Sequence, residues 1–185
     1  NIEPTTGIGI SGVAGVALNL AGVGVVMPAG STDAGIQAVG GGALTLLRCA
    51  LSGGTVALVV SSPTGNVRLQ NCRFGTSVSL SGLAGNQTHV AIGNLFTVIN
   101  GLVALTLTNA NISVVHNEFR ANNPPAGTVG CVVQVDTPTT GAIGSILANN
   151  VFRLGNTQSA AGTGAGTVMS LVRVVPGGAA GKILF

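Results

Sequence analysis

The 185 residues carry 7 basic and 4 acidic side chains for a net charge of +3, with only 6% charged residues, 30 glycines, 5 phenylalanines and neither Trp nor Tyr. Soluble domains average about 25% charged residues, whereas a hydrophobic share of 46% is too high for a disordered segment, and the length suits one domain with a sizeable core. The thinly spread positive charge makes no basic patch and argues against nucleic acid as a partner; it also leaves acid–base or metal chemistry to Glu3, Asp33, Glu118, Asp136, His89, His116 and three cysteines.

The first residue is Asn1 rather than Met, as expected of a processed product or an excerpt of a longer chain. Residues 8–27 form an uncharged stretch of twenty residues, long enough to span a membrane. Its glycines, Ser11, Asn19 and the alternation in Val16-Ala17-Leu18-Asn19-Leu20 point to strands instead, so membrane insertion is not expected. Residues 1–43 are read as an apolar, glycine-rich cap or as the first rungs of a repeat that occupies the rest of the chain.

Residues 44–175 repeat. Five segments, 44–51, 67–74, 89–96, 112–119 and 145–152, share the order apolar, any, apolar, any, any, Asn or Cys, any, Phe or Leu. Ile112-Ser113-Val114-Val115-His116-Asn117-Glu118-Phe119 is the best copy; the copy from His89 to Phe96 is in imperfect phase. The Asn-or-Cys column holds Cys49, Cys72, Asn94, Asn117 and Asn150, and the final column holds Leu51, Phe74, Phe96, Phe119 and Phe152. Successive steps of the final column are 23, 22, 23 and 33 residues. Between them lie further β-rich runs such as Val56–Val60, Leu102–Leu107 and Cys131–Val135, separated by turn residues. No segment has a helical amphipathic stripe. A period of 22–23 residues built from two or three short strands predicts an all-β coil of parallel strands, each rung about 4.8 Å from the next.

The I-x-I-x-x-N-x-F segments resemble the rungs of right-handed, single-stranded parallel β-helix proteins of the pectate-lyase-like superfamily, which includes polysaccharide lyases and hydrolases, phage tailspikes and surface adhesins. The likeness covers about residues 44–152. It implies a fold and little about function, because this architecture hosts unrelated activities. In such a rung Val67 and Leu69, or Ile112 and Val114, face inward. The asparagines sit at the following turn, where they tolerate unusual backbone angles and satisfy one another's amides. Phe74, Phe96, Phe119 and Phe152 form an apolar stack. Cys49 and Cys72, one rung apart, are expected as buried thiols, although adjacent rungs would bring them within disulfide range; Cys131 belongs to another column.

The long step between Phe119 and Phe152 places extra residues at 121–127, at 136–141, or at both. Insertions on a coil often form its binding face, so Asn122, Asn123, Asp136, Thr137 and Thr139 are the candidate binding loop. Residues 176–185 are read as a C-terminal tail. His89 and His116 are expected at turns or on the surface, and Glu118, close in sequence to Arg120, is expected in a solvated or intersubunit ion pair. Glycosidases need two carboxylates about the scissile bond, and calcium-dependent lyases need several acidic ligands; Asp33 and Asp136 stand apart and alone. No catalytic, metal or cofactor residue is therefore assigned. The expected role is a non-enzymatic structural module of a virion or cell-surface assembly, such as a homotrimer, with other subunits as partners. The alternatives are a glycan- or receptor-binding adhesin or tail-fibre module and, behind it, a polysaccharide lyase or hydrolase.

Overall fold

The computed structural model describes residues 1–84, 86–99, 103–122, 129–136, 144–154, 168–175 and 182–184. Asn123, Thr137 and Thr139 lie outside these residues, as does most of the C-terminal tail. Every strand of the described residues joins one of three parallel sheets, and no helix is present among them.

The first sheet takes β1 (Ile10–Ser11), β4 (Ala34–Val39), β7 (Val56–Ser61), β10 (Ser77–Leu83), β13 (Leu105–Ala110), β16 (Val129–Asp136) and β19 (Val168–Val175). The second takes β2 (Leu18–Ala21), β5 (Leu44–Leu47), β8 (Val67–Gln70), β11 (Val90–Ile92), β14 (Ser113–Val115), β17 (Gly144–Ala148) and β20 (Lys182–Leu184). The third takes β3 (Gly24–Met27), β6 (Ala50–Gly53), β9 (Arg73–Phe74), β12 (Leu95–Ile99), β15 (Glu118–Asn122) and β18 (Val151–Leu154). Neighbours within a sheet are therefore three strands apart in sequence, and each triplet makes one rung of a parallel β-solenoid. Residues 10–39 supply β1–β4, so the apolar N-terminal stretch contributes rungs to the coil.

Alternation along each strand sends one column of side chains inward. Ile36, Leu58, Val78, Leu105 and Val133 stack in register in the first sheet, each without solvent exposure. Leu46, Leu69, Ala91, Val114 and Leu147 form the matching buried column in the second. In the third sheet Val25, Leu51, Phe74, Phe96, Phe119 and Phe152 form one column. Its ring centroids are 5.0, 4.7 and 5.0 Å apart. The strand spacing alone dictates that distance, and each stacked pair adds about 0.5–1.5 kcal/mol beyond burial.

The coil also shows that the 89–96 copy is in phase. His89 occupies the first inward slot of its rung, level with Val67 and Ile112, and Ala91 occupies the second. The polar side chain in an apolar slot disguises the alignment. His89 is 3% exposed, which corrects the expectation of a surface position. The backbone N–H of Val67 donates to His89 Nδ1 at 3.1 Å. That forces the ring proton onto Nε2, which donates to the Ala84 carbonyl at 3.2 Å. Burial lowers the pKa of the imidazole from 6.5, so the ring is held neutral. Ser145, in the same column, is likewise buried and donates to the Ala110 carbonyl at 2.7 Å.

Candidate functional site

The corner between the second and third sheets carries the strongest repeated feature of the chain. The chain turns there at Gly22, Arg48, Asn71, Gly93, His116 and Asn149, all with φ between 53° and 66°. The sequence pattern places unusual backbone angles on the Asn-or-Cys column; the structure puts them on the residue just before it. The left-handed residue points its side chain outward, and the following residue is thereby turned in. At Gly93, with φ 66°, a β-carbon would also press on the Asn71 side-chain oxygen, which would have to turn aside, so glycine suits this turn.

Each inward residue then ties three rungs together. Asn117 Oδ1 accepts the backbone N–H of Asn94 at 2.9 Å and its Nδ2 at 3.0 Å. Asn117 Nδ2 donates back to the Ala91 carbonyl at 2.9 Å, and its backbone N–H donates forward to Asn150 Oδ1 at 2.9 Å. Asn94 Oδ1 accepts from Cys72 N–H at 2.8 Å, while Asn94 Nδ2 donates to the Leu69 carbonyl at 2.9 Å. Asn150 Nδ2 donates to the Val114 carbonyl at 2.8 Å. The ladder is a buried amide network with its members satisfied, the arrangement that low dielectric rewards most and tolerates least when broken.

Cys72 and Cys49 extend the ladder with weaker groups. Cys72 Sγ lies 3.4 Å from the Cys49 backbone N–H and 3.4 Å from the Leu46 carbonyl. Cys49 Sγ reaches the Leu20 carbonyl at 3.5 Å. Both are free, buried thiols. Burial pushes the Cys72 pKa up to about 11, which keeps it protonated. Cys131 lies in β16, opposite Ser170 of β19.

Outside the corner, register brings together residues distant in sequence. On the outer face of the third sheet, Glu118 Oε1 accepts from Arg120 Nε and from Arg153 Nε, each at 2.7 Å. Arg120 first, and then Arg153, hold the Glu118 carboxyl below the usual carboxylate range. Glu118 and Arg120 pair within β15, and Arg153 of the next rung, the member sequence reasoning missed, makes the cluster an intrachain bridge across two rungs. The signal was available: Arg120 and Arg153 each follow a column phenylalanine by one residue.

On the outer face of the first sheet, Asp136 Oδ2 accepts from Thr108 Oγ1 at 3.1 Å and Asp136 Oδ1 from Gln134 Nε2 at 2.9 Å. Ser79, Thr106 and Gln134 lie in one outward column, and Ser81, Thr108 and Asp136 in the next. Asn122 ends β15, opposite Ile99 of β12. Of the candidate binding loop, the structure therefore describes Asp136 at the end of β16 and Asn122 at the end of β15. Glu3 and Asp33 are exposed in the first rungs, away from both clusters. Among the described residues no group of three or more His, Cys, Asp or Glu is placed to hold a metal ion.

No family model, curated protein or solved structure matches the chain.

Proposed function

We propose that this chain is a non-enzymatic structural module of a virion or cell-surface assembly, in which a stiff coil meets neighbouring subunits through sparsely charged flanks. The observation that carries the reading is the corner ladder. From Cys72 to Asn150 its amides and backbone N–H groups are spent on rung-to-rung ties, an investment in mechanical continuity. The outer face of the second sheet supports the contact role: Leu47, Ile92, Val115 and Ala148 form a half-buried column broken by Gln70, and an assembly would bury it. The likeness of the repeat to phage tailspike and other pectate-lyase-like rungs favours the same setting, with a homotrimer as one form.

Size-exclusion chromatography with light scattering on protein from its native source, followed by cryo-electron microscopy, tests the proposal. A trimer or larger particle with these flanks buried is expected. A stable monomer at all concentrations would sink it.

A second reading has its own observation. The Thr108–Gln134–Asp136 cluster, on a face rich in Ser and Thr, offers the hydroxyl, amide and carboxylate partners that sugar hydroxyls need. A glycan-binding adhesin or tail-fibre module predicts oligosaccharide binding that weakens in Asp136→Ala. A lyase or hydrolase predicts cleavage lost in the same variant.

A further inference from the structure

Along the sequence the arginines are scattered; register gathers four of them on one flank. Arg73, Leu95, Glu118 and Val151 form one outward column of the third sheet, and Thr97, Arg120 and Arg153 form the next. Arg48 stands beside them, outward at the left-handed corner one rung before Arg73. All four arginines are exposed, and the one carboxylate among them is that of Glu118. Among the described side chains the other two flanks carry no such excess. On the second sheet Arg68 is held by Gln70 Oε1, which accepts from its Nε at 2.9 Å and its Nη2 at 2.6 Å. On the first sheet Arg173 lies in register with Gln134, two residues from Asp136.

The third-sheet flank is patterned as well as basic. Glu118 binds Arg120 and Arg153 through Nε, which orients two planar forks one strand spacing apart, about 4.8 Å. These side chains are 47% and 66% exposed, so they keep N–H donors for a second oxyanion. Arg73 lies two rungs before Glu118, about 10 Å away. Between the charges stand Leu95, half-buried, and Val151, 50% exposed. A uniform polyanion would meet the arginines but also the Glu118 carboxylate, and would leave both apolar side chains uncovered. A polypeptide that interleaves acidic with apolar side chains answers each of them, and its backbone N–H groups can donate to Glu118. A second copy of these residues offers no such segment. Its acids are Glu3, Asp33, Glu118 and Asp136, far apart in sequence, and the last two are already engaged.

From this pattern we infer that the third-sheet flank docks an acidic segment of a different protein subunit. Its carboxylates sit on Arg73, Arg120 and Arg153, and its apolar side chains cover Leu95 and Val151. The inference rests on the assembly role proposed above and names the chemistry of one partner. Charge complementarity of this kind sets register and encounter rate more than raw affinity, and salt weakens it.

The test is fluorescence anisotropy with the full chain and a labelled peptide in which Glu alternates with Ala and Val. Saturable binding that weakens as salt rises is expected. Arg120→Gln/Arg153→Gln should weaken it about three- to tenfold, the worth of two exposed ion pairs. Arg73→Gln, which leaves the Glu118 cluster intact, should weaken it about two- to threefold. Arg68→Gln, the same charge change on the second-sheet flank, should leave it unchanged. Oligoglutamate and a sulfated oligosaccharide of equal charge should bind more weakly than the mixed peptide, and Glu118→Gln should narrow that gap. Circular dichroism of each variant shows that the coil is intact. No binding of the peptide, equal losses in Arg68→Gln and Arg73→Gln, or tighter binding of the sulfated oligosaccharide would overturn the docking surface. Light scattering on the same samples reads assembly independently. Particles that persist without peptide binding would overturn this inference and leave the structural role standing; single chains that bind the peptide would do the reverse.

Discussion

Asn117→Ala isolates what one ladder amide contributes. Asn117 is 2% exposed, so water does not readily replace it. Truncation leaves the buried Asn94 backbone N–H without the oxygen it meets at 2.9 Å, and Asn94 Nδ2 with only the Leu69 carbonyl. An orphaned buried donor costs about 1–3 kcal/mol, and the lost bonds to the Ala91 and Val115 carbonyls add about 1 kcal/mol. The expected loss is about 2–4 kcal/mol. Asn150→Ala removes the same chemistry at a half-buried site, where water can serve Asn117 N–H, and should cost about 1 kcal/mol. Asn117→Cys should fall between wild type and Asn117→Ala, because Cys72 already shows a thiol holding this slot against Cys49 N–H. Urea unfolding followed by far-ultraviolet circular dichroism measures all three, since the chain has no Trp or Tyr. A cost under about 0.5 kcal/mol for Asn117→Ala, the level of an ordinary surface change, would refute the buried-ladder account, as would a larger cost for Asn150→Ala than for Asn117→Ala.

His89 makes stability depend on pH with a definite sign. Its pKa is lowered in the fold, so as pH falls below 6.5 the unfolded chain takes up a proton that the folded chain refuses; unfolding free energy should fall there, level off below the folded value, and lose that slope in His89→Leu. At neutral pH, Cys49 and Cys72 should resist alkylation until urea is added, with peptide mass mapping as the readout; rapid native labelling of Cys72 would contradict its burial and raised pKa. His116 sits at φ 55° on the surface. There His116→Val should lose about 1–2 kcal/mol, whereas His116→Gly should stay within about 1 kcal/mol of wild type by the same unfolding assay.

The sequence exposes what repeats in residue type and conceals what repeats only in position. Phe74, Phe96, Phe119 and Phe152 announce their column because a rare residue recurs at near-constant steps. The same slot is Val25 and Leu51 in the first rungs, where common residues give no signal, so residues 8–43 fit either a cap or a coil. His89 is obscured because a polar residue breaks the periodic template although the slot satisfies both its nitrogens. The left-handed corner residues include Arg48, Asn71 and His116, which share a backbone angle and an outward direction but no chemistry. Partners across rungs, such as Arg153 with Glu118, emerge once register is known, and the phenylalanine column supplies it through Phe119-Arg120 and Phe152-Arg153. The pairing of Phe119 with Phe152 fixes that register in spite of the inserted residues.

The ladder also changes character along the axis. Val23 opens the column, with its carbonyl accepting from Ala50 N–H; thiols follow at Cys49 and Cys72, and amides at Asn94, Asn117 and Asn150. Cys49 N–H therefore meets sulfur at 3.4 Å, whereas Cys72, Asn94 and Asn117 N–H meet amide oxygen at 2.8–2.9 Å. Stability in a coil is close to a sum over rungs and their interfaces. The rung after Asn117 closes its loop over a longer chain, a cost that grows slowly with length, and the amides stand where that cost falls. The interface between the rungs of Cys49 and Cys72 is the weaker one. Hydrogen exchange should accordingly release Cys49 N–H before Cys72, Asn94 and Asn117 N–H. Cys72→Asn, which places an amide oxygen in reach of Cys49 N–H, should slow the first exchange and leave the others unchanged. Equal exchange at all four positions in wild-type protein would mean that the corner opens as one unit, and that the change from thiol to amide carries no local consequence.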